Sequence, residues 1–149
     1  MYFAIQKMKI KEDLLVVGGD NLFDGQVKEF VSFARKKKKP VIGIFDIGKK
    51  SEATKYGVVT LDASRRLVGF SEKPKNPDSS LVAMCLYYFP KASLSLMREY
   101  YTLKSQKRDA TGFYIDWLRT RETVYGFVFS GRWYDIGDHH FYREANKKF

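Results

Sequence analysis

Strands alternating with helices predict an α/β fold built on a mixed, mostly parallel sheet, with one β-hairpin inserted in it. Three observations carry that prediction. Leu14–Val17 is a run of four apolar residues cut off by Gly18-Gly19, the pattern of a strand buried on both faces. Similar runs recur at 41–45, Leu81–Phe89 and 124–129, with segments of helical period between them. Two β-rich runs, 56–61 and 67–71, flank the polar stretch 62–66, which reads as a hairpin.

In order, residues 1–12 carry Phe3, Ile5, Met8 and Ile10 among lysines and read as the tail of a helix feeding the first strand. The segment 26–39 places Val27, Phe30, Val31 and Ala34 on one helical face. It ends in Arg35 and four lysines, then Pro40. Cations complement the macrodipole at a helix C-terminus and Pro stops the helix, which explains the basic run without nucleic acid. Residues 46–55 are polar and read as a loop. Residues 72–77 contain Pro74 and Pro77, which hold the chain extended. Residues 91–103 are helical in pattern, with Leu94, Met97 and Tyr101 on one face, and 112–121 form a shorter helix. Residues 133–138 form a second turn rich in glycine and carboxylate, and 139–148 a closing helix.

The length of 149 residues fits one domain, or part of one, with no repeat or low-complexity linker. The single cysteine, Cys85, excludes an internal disulfide and fits a reducing compartment. With no signal peptide and no apolar run of membrane-spanning length, a cytoplasmic protein without membrane contact is expected. The net charge of +10 favours anionic partners: nucleotides, sugar phosphates or nucleic acid.

Chemistry concentrates at the end of the first strand. Asp20 and Asn21 follow Gly18-Gly19 at its carboxyl end, where open α/β sheets bind ligands. Glycines there permit a sharp turn and close approach of a ligand. A carboxylate in that place is suited to Mg²⁺ and, through it, to phosphate oxygens. Taken alone, Gly-Gly-Asp-Asn is equally good turn chemistry. Glu72-Lys73-Pro74 and Trp133-Tyr134-Asp135 are two further polar constellations. Taken alone, the first reads as a solvated ion pair and the tryptophan as a core aromatic.

Together, and in this order, these segments resemble the sugar-1-phosphate nucleotidylyltransferases, glucose-1-phosphate thymidylyltransferases above all. The matching elements are residues 14–21 ending in Gly-Asp-Asn, Tyr56-Gly57-Val58-Val59, the Glu-Lys-Pro stretch 72–79, the aromatic strand 84–89 and Trp133-x-Asp135-x-Gly137. The resemblance implies a Rossmann-like nucleotide-diphospho-sugar transferase fold. It implies attack of a sugar-1-phosphate oxygen on the α-phosphorus of a nucleoside triphosphate, most simply glucose 1-phosphate on dTTP, with release of pyrophosphate. It assigns Asp20 and Asp135 to Mg²⁺, Lys73 to the sugar phosphate, Glu72 to sugar hydroxyls and Gly57 to close contact with the sugar ring. Asp20, Lys73 and Asp135 are thereby the catalytic set, and Asn21, Tyr56 and Trp133 join the substrate-binding residues.

Two departures from the family pattern stand out. Cys85 occupies a position where the family usually has glycine, which crowds the sugar side. The family's Gly-x-Gly-[Thr/Ser]-Arg loop, which grips the triphosphate, does not occur in this sequence. The chain therefore reads as the C-terminal part of a catalytic domain, inactive alone and completed by a homodimer partner or a complementing N-terminal chain. A non-catalytic sugar-phosphate-binding or interaction module is the alternative. Nucleic-acid binding rests on net charge alone, because no recognised motif accompanies it.

Overall fold

Leu81–Phe89, the longest apolar run of the chain, becomes the strand on which the others assemble. The computed structural model describes residues 1–103, 110–137 and 139–148. In chain order its elements are α1 (Tyr2–Lys7), β1 (Leu14–Val17), β2 (Asn21–Phe23), α2 (Val27–Lys37), β3 (Val41–Asp46), β4 (Gly57–Leu61), β5 (Leu67–Glu72), β6 (Leu81–Phe89), α3 (Leu94–Thr102), α4 (Thr111–Arg119), β7 (Tyr125–Phe129), β8 (Trp133–Asp135) and α5 (His139–Lys148). Lys50–Lys55 and Lys91–Ser93 are short 3₁₀ turns, the first within a stretch expected to be loop. Asp138, expected in the turn after β8, lies outside the described residues.

Side chains alternate across β6, as a strand requires. Met84, Leu86 and Tyr88 join Phe30 and Ala34 of α2 on one face. Tyr87 and Phe89 join Met97 and Tyr100 of α3 and Tyr114, Ile115 and Leu118 of α4 on the other. The sheet is thus sandwiched between helices, with an aromatic core on the α3–α4 side. Tyr100, Tyr114 and Phe89 are among its largest fully buried side chains.

The mixed sheet and the hairpin insert are as the sequence predicts. The six-stranded sheet follows the order β5-β4-β6-β3-β7, with β1 also paired to β6. β6 is antiparallel to β1, β3 and β4, and β7 is parallel to β3. Hence β1, β3, β4 and β7 share one direction while β5 and β6 oppose it. The expected parallel bias survives in strand direction but not in the ladders. Because β6 lies between the co-directed strands, only β3–β7 is a parallel ladder among the described residues. The ends of the path also meet: the Leu67 N–H donates to the Val124 carbonyl (2.8 Å) and the Gly126 N–H to the Arg65 carbonyl (2.9 Å).

One edge of β6 is shared. β1 occupies Leu86–Phe89 and β4 begins its pairing at Val82. Between them, among the described residues, the Gly18 N–H donates to the Cys85 carbonyl at 2.6 Å. That gap positions the site.

Two expectations need correction. β1 is not buried on both faces: Leu14 and Val16 pack on the α3–α4 side, but Leu15 is 39% and Val17 51% exposed. Four apolar residues signal hydrophobicity, not how many faces have a cover. Residues 133–135 are not a turn but strand β8, which pairs antiparallel with β2 in a separate two-stranded ribbon. No described helix is long and apolar enough to cross a membrane.

Candidate active site

A cavity of about 350 Å³ opens in the gap between β1 and β4. Its floor is β6, which presents Ala83, Cys85 and Tyr87 at strand spacing. Asp20 and Asn21 line one side, and Trp133 and Asp135 of β8 stand with them. Tyr56 and Gly57 at the start of β4 and Phe70 and Glu72 of β5 form the other side, followed by Lys73. All eight residues expected from the sequence line this one cavity: Asp20, Asn21, Tyr56, Gly57, Glu72, Lys73, Trp133 and Asp135.

The β2–β8 ribbon brings the two aspartates together. Asn21 is in register with Asp135, and the Ile136 N–H donates to the Asp20 carbonyl at 2.7 Å. A chain of side-chain bonds then fixes the rim. Trp133 Nε1–H donates to Asn21 Oδ1 at 2.8 Å, and Asn21 Nδ2 donates to Asp20 Oδ1 at 2.9 Å. The Trp133 ring packs between Phe45 and Tyr56, at centroid distances of 5.7 and 5.3 Å. Trp133 is therefore both a core aromatic and a cavity residue.

Gly18 and Gly19 act differently from the expectation that both provide a sharp turn. Neither has a positive φ. Gly18 is needed for close packing: a Cβ there would meet Cys85 Cβ at 2.7 Å and Asp20 Oδ1 at 2.9 Å. Gly19 faces open space. The strained position is Lys73, with φ +47°, a left-handed conformation rare outside glycine. Its N–H donates to the Tyr56 carbonyl at 3.0 Å, tying the end of β5 to the start of β4.

Burial pushes the Cys85 thiol up, and the Asp20 and Asp135 carboxylates push it further. Burial also raises Tyr87 far above the ordinary phenol range. Both shifts favour the neutral forms, and Cys85 takes up space on the cavity floor. It sits where the sequence places it, on the cavity floor.

The carboxylates of Asp20 and Asp135 are hard oxygen donors on one cavity wall, a donor set that suits Mg²⁺. No cluster of three or more candidate ligands occurs among the described residues. Asp20 and Asp135 are the described residues that would hold such an ion.

Sequence reasoning missed Lys55, Phe70, Tyr87 and the first turn of α4, where Ala110, Thr111 and Gly112 complete the cavity wall. None belongs to a polar motif. Glycine near the start of a helical pattern was the one available signal.

The family model of nucleotidyl transferases matches residues 2–149. The chain belongs to that family. Within the family it is 30% identical over 138 residues to a bifunctional GlmU protein of Methanocaldococcus jannaschii, covering 93% of this chain and 32% of that one. It is 27% identical over 141 residues to a glucose-1-phosphate adenylyltransferase of Thermosipho africanus, covering 91% of this chain and 33% of that one. The chain thus spans about a third of the length of these curated relatives. In fold it is similar to a structure described as a glucose-1-phosphate thymidylyltransferase of Bacillus anthracis in complex with a sucrose. There the TM-score is 0.76 at 23% identity, over 97% of this chain and 57% of that one. A UDP-glucose pyrophosphorylase complexed with UDP-glucose matches with a TM-score of 0.79 at 18% identity, over 97% of this chain and 58% of that one.

Proposed function

We propose that this chain supplies the sugar-phosphate and metal-binding face of a sugar-1-phosphate nucleotidylyltransferase, with glucose 1-phosphate and dTTP as the first pair to test. The observation that carries the reading is convergence. Four segments, up to 115 positions apart between Asp20 and Asp135, contribute their polar residues to one cavity. Family membership supports nucleotidyl transfer as the chemistry.

In this reading the Lys73 ammonium offsets the sugar phosphate, and its strained backbone fixes where the side chain begins. Glu72 accepts sugar hydroxyls, while Gly57 lets the ring approach the strand. Asn21, held by Trp133, keeps Asp20 in place. Mg²⁺ bound by Asp20 and Asp135 would offset phosphate charge and orient an in-line displacement. The protein's own contribution is placement and charge, which dominate when two anions must meet.

Calorimetric titration of the chain with glucose 1-phosphate, with and without Mg²⁺, tests the reading. Binding that depends on Mg²⁺ and is lost in Asp20→Ala supports it; absence of binding to any sugar 1-phosphate overturns it. A second reading is a sugar-phosphate-binding module without catalysis. Pyrophosphate release by the chain combined with a complementing N-terminal chain separates the two. Either way the exposed apolar residues of β1 and α1 favour a partner, a second copy of this chain or a complementing one.

A further inference from the structure

We propose that Gly112 is a positioning residue: its missing side chain lets the Glu72 carboxylate seat against the first turn of α4, which aims that carboxylate into the cavity. The inference rests on the reading of Glu72 as the acceptor of sugar hydroxyls.

Glu72 and Phe70 are two apart on β5 and share one face, the face on which α4 packs. Gly112 is the second residue of α4 and is buried. A Cβ on Gly112 would run into Glu72 Oε2, and would lie 2.8 Å from Phe70 Cε1 and 2.9 Å from Phe70 Cζ. A Cβ on Gly57 would likewise lie 2.5 Å from Phe70 Cζ. Two glycines therefore make room for the Phe70 ring, and Gly112 also makes room for the carboxylate. Gly112 has no positive φ, so backbone conformation does not require glycine there; the neighbouring side chains do. The location also suits charge. The first turn of a helix carries backbone N–H groups without intrahelical partners and the positive end of the macrodipole. Ala110 at the N-cap offers no side-chain cap to that turn. A carboxylate lying over Gly112 faces that positive end.

The test is a cycle of Gly112→Ala, Glu72→Ala and the double variant, read by thermal unfolding and by calorimetric binding of glucose 1-phosphate and of inorganic phosphate. Gly112→Ala should weaken glucose 1-phosphate about tenfold, the scale of a lost charged hydrogen bond. Inorganic phosphate, which has no sugar hydroxyls, should bind unchanged. Gly112→Ala should also unfold at lower temperature than the parent and recover part of that loss in the Glu72→Ala background, where the contact with Phe70 remains. Equal loss of both ligands, or equal destabilisation in both backgrounds, overturns the proposal and leaves Phe70 packing as the reason for glycine. If Gly112→Ala does not fold, a folded double variant supports the proposal and an unfolded one overturns it. Glucose 1-phosphate binding that Glu72→Ala weakens and Gly112→Ala does not also overturns it, while the sugar-phosphate reading stands. A parent chain that binds no glucose 1-phosphate overturns both.

Discussion

Lys73 shows how much one residue can carry. Its left-handed backbone costs on the order of 1–3 kcal/mol, and a glycine there would be relaxed. Lys73→Gly is therefore expected to leave stability unchanged or raise it by about 1 kcal/mol, while glucose 1-phosphate binding is lost. Urea unfolding and calorimetry on the same variant check both halves. Asp13 works in the opposite sense. It accepts hydrogen bonds from the Tyr88 hydroxyl and from the Lys91 N–H, the latter at 2.9 Å, and these hold its carboxyl below the usual value of 3.8. The native pKa is the lower one, so the stabilisation is complete above the unfolded value and disappears as pH falls through the native one. Asp13→Ala should accordingly destabilise the chain at neutral pH, and the difference from the parent should shrink as pH falls below the usual carboxylate value. Denaturant titrations across a descending pH series check it. Asp20, Glu72, Lys73 and Asp135 were picked out by the order of their motifs, which resembles the family's, and the structure adds that they line one cavity. Gly112 was not, since what requires it is the Glu72 carboxylate and the Phe70 ring about 40 positions away.

Among the elements, α2 was the easiest to read. Its apolar period and basic end are strong local signals, and Phe30 and Ala34 are fully buried as the period demands. Phe30 meets Phe127 and Phe129 at centroid distances of 5.8 and 5.7 Å. Phe30→Ala should cost about 3–5 kcal/mol, measured by urea unfolding. β8 was the hardest. Three residues, Trp133–Asp135, hold too little pattern to mark a strand, and their partner β2 is equally short. The pairing is tertiary, so no window of sequence contains it. β1 lies between these cases: its strand character was plain, but its single covered face depends on what packs beside it.

Across the whole molecule, charge and apolar exposure pull in opposite directions. Phe3 and Met8 of the α1 region are 77% and 72% exposed, and Leu15 and Val17 of β1 are 39% and 51% exposed. β1 pairs only with β6 among the described residues, so its outer edge offers backbone groups to another strand. Self-association should therefore follow salt. At low ionic strength the net charge of +10 opposes it, and at physiological salt screening permits a dimer. Light scattering across a salt series reads this directly, and Val17→Lys should hold the chain monomeric. The purified chain should release no pyrophosphate from dTTP and glucose 1-phosphate above an Asp20→Ala control.

The β2–β8 ribbon has a kinetic consequence. Its register joins Asn21 to Asp135 across most of the chain, so the entropy of closing that loop is repaid only after the six-stranded sheet has formed. The ribbon should therefore close last and open first, with its amides exchanging hydrogen faster than those of β3. Each opening would part the two aspartates while Phe30, Tyr100 and Tyr114 stay packed. A ligand that bridges Asp20 and Asp135 would then slow exchange in β2 and β8 far more than it raises the melting temperature of the core.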